Sequence, residues 1–160
     1  MQIDRDKVIP YGIGFEPEAA VSGPVLLQTD YRAFLTFNAV KMISHGTRNT
    51  AGTGIIELIK CHATKFGYPN DEALPGHPLY LQGLTCYGVF EVLGSSWIRQ
   101  QTEQNRVSFP NTPDDSASRH FVFTFHDSTF ECIAADLQAS LSAEPYHEII
   151  ARITQAILSD

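Results

Sequence analysis

The side chains best suited to chemistry are concentrated in one stretch, His120–Ala135, with the sequence HFVFTFHDSTFECIAA. Histidine and carboxylate groups serve as general acids, general bases and metal ligands. We take as the candidate catalytic set a histidine acting as general base with a carboxylate to orient it. The candidates are His77, His120, His126, Asp127 and Glu131.

Three interpretations of this group stay open. His120, His126 and Glu131 are of the types that bind zinc, iron or manganese, although no spacing such as His-Glu-x-x-His is present. Alternatively, a carboxylate orients a catalytic histidine. In the third interpretation, Asp127 and Ser128 only bond the turn backbone and His126 faces water. The sequence predicts no bound cofactor.

Nucleophilic cysteine and serine chemistry has less support. The cysteines, Cys61, Cys86 and Cys132, include no Cys-x-x-Cys pair and are expected to be free thiols of a reducing cytoplasm. The run Gly94-Ser95-Ser96-Trp97 does not fit the Gly-x-Ser-x-Gly turn of serine hydrolases.

A predicted β-hairpin positions the candidate residues. Two aromatic and β-branched runs, 120–125 and 130–135, flank turn-forming residues, so we expect the chain to reverse at Asp127-Ser128. Pairing the arms places Phe125 opposite Phe130 and sends alternate phenylalanines into the core. The ionisable side chains then lie at the turn and on the other face, where they can converge.

The remaining pattern predicts an α+β fold in a single domain spanning residues 1–160. We expect one mostly antiparallel sheet of about six or seven strands, a short helix after Ser96 and a C-terminal amphipathic helix packed on one face. The other expected elements are strands at Val8–Phe15, Val25–Thr29, Arg32–Val40, Ile55–Thr64 and Cys86–Leu93, loops at His45–Gly54 and Lys65–Thr85, a polar linker at Ser108–Ser118, and helices at Trp97–Asn105 and Ala143–Leu158.

Composition limits the partners. The chain has 160 residues, of which 43% are hydrophobic and 18% charged, so it is too apolar for a disordered protein. Its net charge of −7, with scattered basic residues, argues against nucleic acid and anionic membranes. No apolar run approaches the roughly 20 residues that span a bilayer, and we expect a cytoplasmic protein.

The leading functional expectation is a binding or interaction domain that works through its sheet surface or through the long 65–85 loop. An acidic surface favours a basic protein partner, and a small ligand is the other partner considered. The alternative is a small enzyme, or a metal- or ligand-binding protein, with its His/Asp/Glu pocket near the 120–135 hairpin. A homodimer that covers apolar sheet surface is a further expectation.

Overall fold

The computed structural model describes residues 5–42 and 48–159, and strand-forming runs dominate this part of the chain. In chain order the elements are β1 (Lys7–Pro10), β2 (Glu16–Pro17), β3 (Val25–Gln28), β4 (Ala33–Met42), β5 (Arg48–Ile59), β6 (Ala63–Gly67), β7 (Val89–Leu93), α1 (Ser96–Arg106), β8 (Arg119–Thr124), β9 (Thr129–Ala134), β10 (Asp136–Ser142) and α2 (Tyr146–Ile157).

The strands form two antiparallel sheets of five strands each, so the α+β class is confirmed and the expectation of one sheet is wrong. Sheet one has the order β1-β7-β8-β9-β6. Sheet two has the order β10-β5-β4, and β2 and β3 both pair with β4. The chain passes from one sheet to the other three times, after β1, after β5 and after β9.

The main core lies between the two sheets. Phe37 of β4 packs against Phe123 of β8 and against Phe125, with ring centroids 5.9 and 5.4 Å apart. Small residues such as Ala134 and the two buried cysteines, Cys61 and Cys132, complete this core. Aromatic side chains from both inner faces therefore hold the sheets together, because they bury large apolar areas.

Each sheet is also covered on its outer face. Leu74, Leu79 and Leu84 of the long loop pack on sheet one, where they meet Phe90 and Val122. On sheet two, α2 buries a stripe against the sheet, as the sequence predicts. The residues of this contact are Phe34 of β4 and Ile149, Ile153 and Ile157 of α2, with Leu27 and Ile55 alongside.

Several predicted boundaries on the first half of the chain are wrong. The predicted loop His45–Gly54 lies partly outside the described residues, and from Arg48 onward it is strand β5. The predicted strand Ile55–Thr64 is two strands, because the backbone turns at Lys60, where φ is 50°. The predicted strand Val8–Phe15 ends already at Pro10, whose ring restricts the backbone.

Other corrections concern element starts. The predicted strand Cys86–Leu93 begins only at Val89, since Tyr87 adopts a φ of 57° that no strand accommodates. Ser95 caps α1 by accepting a hydrogen bond from the Ile98 amide, so this helix begins at Ser96, one residue earlier than expected. The C-terminal helix begins at Tyr146, later than expected, because the preceding residues extend as β10 along β5.

The 120–135 hairpin forms with a register two residues away from the predicted one. Phe123, and not Phe125, lies opposite Phe130, and the last pair before the turn is Thr124 with Thr129. The turn therefore holds four residues, Phe125–Ser128, closed by the Phe125 amide bonding the Ser128 carbonyl at 2.9 Å. A shift of two residues keeps every side chain on its predicted face.

Candidate functional site

Glu131 lies at the centre of a buried hydrogen-bond network on the outer face of sheet one. Its side chain belongs to β9, faces away from the main core, and is 8% exposed. Oε1 lies 2.8 Å from Nε2 of His120, and Oε2 lies 3.1 Å from Nε2 of His77. His77 comes from the long loop and His120 from β8, so one carboxylate joins the loop to the sheet.

The hydrogen bonds assign the protons. The Leu79 amide donates to Nδ1 of His77 at 3.0 Å, so the ring proton is on Nε2 and is donated to Glu131. Ser95 Oγ lies 2.8 Å from Nδ1 of His120 and accepts the Ile98 amide, which leaves its own proton to donate to His120. Each of these polar atoms thus has a hydrogen-bond partner.

The ionisation of Glu131 reflects this setting. Burial disfavours its charged form, but hydrogen bonds from His120 and His77 outweigh burial and lower the pKa of Glu131 to about 2. The carboxylate therefore stays charged at neutral pH and serves as a fixed acceptor.

The hydrogen bonds from Ser95 to His120 and from His120 to Glu131 connect the same residue types as a serine-hydrolase triad. The serine, however, is more enclosed than a nucleophile would be. The Ser95 residue is 5% exposed, and its oxygen already accepts the helix-cap hydrogen bond. The ring of Trp97 packs edge-on against His120 with centroids 5.1 Å apart, and Lys65 Nζ lies 4.0 Å from the Trp97 centroid. A hydroxyl enclosed in this way is suited to fasten α1 to the sheet.

A second polar cluster consists of Asp71, Tyr87 and His126. Asp71 Oδ2 lies 2.7 Å from Nδ1 of His126 and accepts a short hydrogen bond from the Tyr87 hydroxyl. The bond from Tyr87, with a smaller contribution from His126, lowers the pKa of Asp71. The same bond raises the pKa of Tyr87 to about 12, and Asp71 raises the pKa of His126.

The five predicted site residues are thus divided between two clusters. His77, His120 and Glu131 meet in the buried network, whereas His126 bonds Asp71. The Asp127 side chain is 90% exposed and lies 3.9 Å from Nε2 of His126. Within residues 5–42 and 48–159, no group of three or more His, Cys, Asp and Glu side chains is arranged to hold a metal ion.

Three open clefts lie on the described surface. One of about 720 Å³ separates α1 from the 112–117 segment, and one of about 550 Å³ opens at an end of the sandwich beside Tyr11 and Tyr87. The third, about 380 Å³, runs along α1 past Ser95. None of the three is lined by His77, His120, His126, Asp127 or Glu131.

Three residues of these clusters are missing from the sequence-based candidates. Ser95 is recognisable in the sequence only as a helix cap, and its bond to His120 depends on the folded chain. Asp71 and Tyr87 carry no spacing signal, because 55 residues separate Asp71 from His126. Side chains that meet only through the fold cannot be found from spacing along the chain.

We expect Asp71→Asn to lower the pKa of His126, because the aspartate is the largest cause of its elevation. In wild-type protein, NMR titration should place the pKa of His126 above 6.5, the ordinary value. Glu72→Gln is the matched control, since this carboxylate makes the smallest contribution. An unchanged pKa of His126 in Asp71→Asn would contradict the observed pairing.

Comparisons with protein-family models, curated proteins and solved structures find no match to this chain. Neither of the helices described here has the length and apolar character needed to cross a membrane.

Proposed function

We propose that the protein is an interaction domain whose docking surface is the segment Tyr68–Leu84, called here the docking loop. The observation that carries the proposal is the exposure of large apolar side chains on a firmly held loop. Tyr68 is 89% exposed and Leu81 is 88% exposed, and Tyr80 is also open to solvent. Tyrosine is enriched among the residues that dominate binding at protein interfaces, and exposed apolar patches mark such interfaces.

Contacts at its base support a preformed docking loop. Leu74, Leu79 and Leu84 are buried on sheet one, whereas Leu81 points outward. The Thr129 hydroxyl donates to the Pro69 carbonyl at 2.9 Å. A loop ordered before binding loses little conformational entropy on binding, which favours affinity.

The two polar clusters also hold the docking loop against sheet one through hydrogen bonds. His77 ties the middle of the docking loop to Glu131, and Asp71 ties its first part to Tyr87 and His126. In addition, the Asp71 amide donates to the His126 carbonyl at 3.0 Å. We infer that His77, His120, His126 and Glu131 position a binding surface and do not react with a substrate.

The partner we propose is a basic protein with an apolar pocket. The net charge of −7 attracts a basic partner over a distance, and the exposed apolar side chains supply the short-range contact. The sequence-based alternative, an enzyme or ligand-binding pocket near the hairpin, stays a prediction. It requires the candidate residues to line a shared cavity, and the three clefts described above are lined by others.

We expect the double variant Tyr68→Ala/Leu81→Ala to weaken partner binding by roughly 10-fold or more, as loss of two interface anchors does. A random-peptide display library panned on wild-type protein supplies the probes, and calorimetry measures their affinity. We expect enriched peptides to combine basic with apolar residues and to bind more weakly as salt concentration rises.

The matched control is Tyr31→Ala/Leu158→Ala, which removes the same residue types from exposed positions near sheet two. The proposal is contradicted if both double variants bind the peptides equally well. Light scattering of wild type and variants tests the homodimer: a dimer that the docking-loop variant dissociates would identify a second copy as the occupant.

A further inference from the structure

The cleft of about 550 Å³ opens at an end of the sandwich and is called here the end cleft. One wall is formed by residues 10–16, which run from β1 to β2, and the other by residues 85–90, which lead into β7. Phe15 and Val89, both buried in the main core, line its base. A small molecule in this cleft would therefore contact the apolar interior of the sandwich.

The lining of the end cleft is mostly apolar and rich in aromatic side chains. Its aromatic residues are Tyr11, Phe15, Tyr87 and Phe90. Aromatic rings bury large areas and pack favourably against other rings, so this lining favours a ligand that contains an aromatic ring. Volume and composition both agree with those of small-molecule sites, which enclose roughly 300–1,000 Å³ and carry few polar groups.

The other two clefts are less suited to such a ligand. The cleft of about 720 Å³ is lined largely by polar side chains, among them Gln101, Asn105 and Asp115. In the cleft of about 380 Å³, Arg119 already pairs with Glu91 at 2.8 Å. An apolar ring that enters either cleft removes water from polar groups without replacing their hydrogen bonds, which costs free energy.

The polar group that the end cleft offers to a ligand is a lysine. Lys41 of β4 lines the cleft, is exposed, and makes no ion pair with any residue that the structure describes. Glu16, the other charged residue of the lining, already has an interaction partner. The Tyr87 hydroxyl is also engaged, since it donates to Asp71. The charge available in the end cleft is therefore positive, which favours an anionic group on the ligand.

We propose that the end cleft binds a small aromatic carboxylate, with the ring between the two walls and the carboxylate beside Lys41. The bond to Asp71 holds the Tyr87 ring in place before the ligand arrives, which reduces the entropic cost of binding. Because the net charge of −7 repels anions at a distance, the affinity comes from these local contacts. The site lies outside residues 68–84 and does not depend on the function proposed for the docking loop.

The test titrates full-length wild-type protein with 2-naphthoate and with its uncharged match, 2-naphthalenemethanol, and follows the amide signals by NMR. Both compounds should give saturable shifts at Ile13, Cys86 and Tyr87, which line the end cleft. The carboxylate should bind roughly fivefold more tightly than the alcohol, as an exposed ion pair with Lys41 allows. Absence of saturable shifts, shifts only at residues remote from the end cleft, or equal affinity for the two compounds would overturn the proposal.

Cys86 gives a second readout that needs no substitution. This thiol is exposed and lines the end cleft, whereas Cys61 and Cys132 are buried. Saturating 2-naphthoate should slow the alkylation of Cys86 by iodoacetamide, measured by intact mass and peptide mapping. An unchanged rate of alkylation at saturation would mean that the compound binds elsewhere and would also overturn the proposal.

Two variants test the role of the lysine. Lys41→Gln should bind 2-naphthoate roughly fivefold more weakly and bind the alcohol as wild type does. Lys7→Gln is the matched control, because Lys7 is an exposed lysine of β1 that does not line the end cleft. A preference for the carboxylate that persists in Lys41→Gln would contradict the proposal. If Lys41→Gln does not fold, the wild-type comparison of carboxylate with alcohol decides the proposal.

Discussion

Replacing Glu131 with alanine should lower the free energy of unfolding by about 3–5 kcal/mol. The change leaves the Nε2 protons of His77 and His120 without an acceptor in a buried setting. It also removes a carboxylate that is hydrogen-bonded both to the docking loop, through His77, and to β8, through His120. An effect of this size would be a large part of the stability of a domain of this length.

Urea unfolding followed by tryptophan fluorescence measures the loss, because the single tryptophan, Trp97, packs against His120. Glu144→Ala is the matched control, since that carboxylate pairs with Arg152 on the surface at 3.0 Å. A surface pair contributes about 0–1 kcal/mol. Equal losses in the two variants would show that Glu131 does not hold the structure together.

The second large effect is a loss of stability in acid. Burial opposes the charge on Glu131, but its hydrogen bonds prevail and lower its pKa from the ordinary value of 4.5 to about 2. Because the pKa is lower in the folded state, the stabilisation is complete above pH 4.5 and is lost as the pH falls toward 2. One pKa unit corresponds to about 1.4 kcal/mol, so the full contribution is about 3 kcal/mol.

Comparing wild type with Glu131→Gln isolates this contribution, since the contributions of other carboxylates cancel in the difference. The unfolding free energies should differ most near neutral pH and approach each other between pH 4.5 and 2. Curves that stay parallel over this range would mean that Glu131 titrates as it does in the unfolded chain.

The sequence predicts the local elements of this fold better than their assembly. Alternation in β4 and β8 and the isoleucine stripe of α2 depend on local spacing, so their buried faces agree with the structure, although α2 begins three residues later than expected. The separation into two sheets depends on which strands pair across long distances. Nothing in the spacing of β10 indicates that it pairs with β5.

In the candidate site, too, the sequence predicts local features but not the contacts between distant parts of the chain. The hairpin pattern correctly places His120 and Glu131 on one face, because face depends only on alternation. It does not show that His77 lies over Glu131 or that Asp71 holds His126, since these contacts depend on the path of the long loop. Three of the four leucines in this loop, Leu74, Leu79 and Leu84, are buried and fasten it to sheet one.

Glu131 holds the docking loop in place through His77, and amide hydrogen exchange of Leu79 tests this directly. That amide donates to Nδ1 of His77, and Nε2 of the same ring bonds Glu131. Its exchange rate therefore depends on whether Glu131 holds the His77 ring in place. In wild-type protein it should exchange as slowly as the amides of β8, and in Glu131→Gln it should exchange faster while those of β4 stay unchanged. Exchange of the wild-type Leu79 amide at the rate of an unstructured chain would contradict the account.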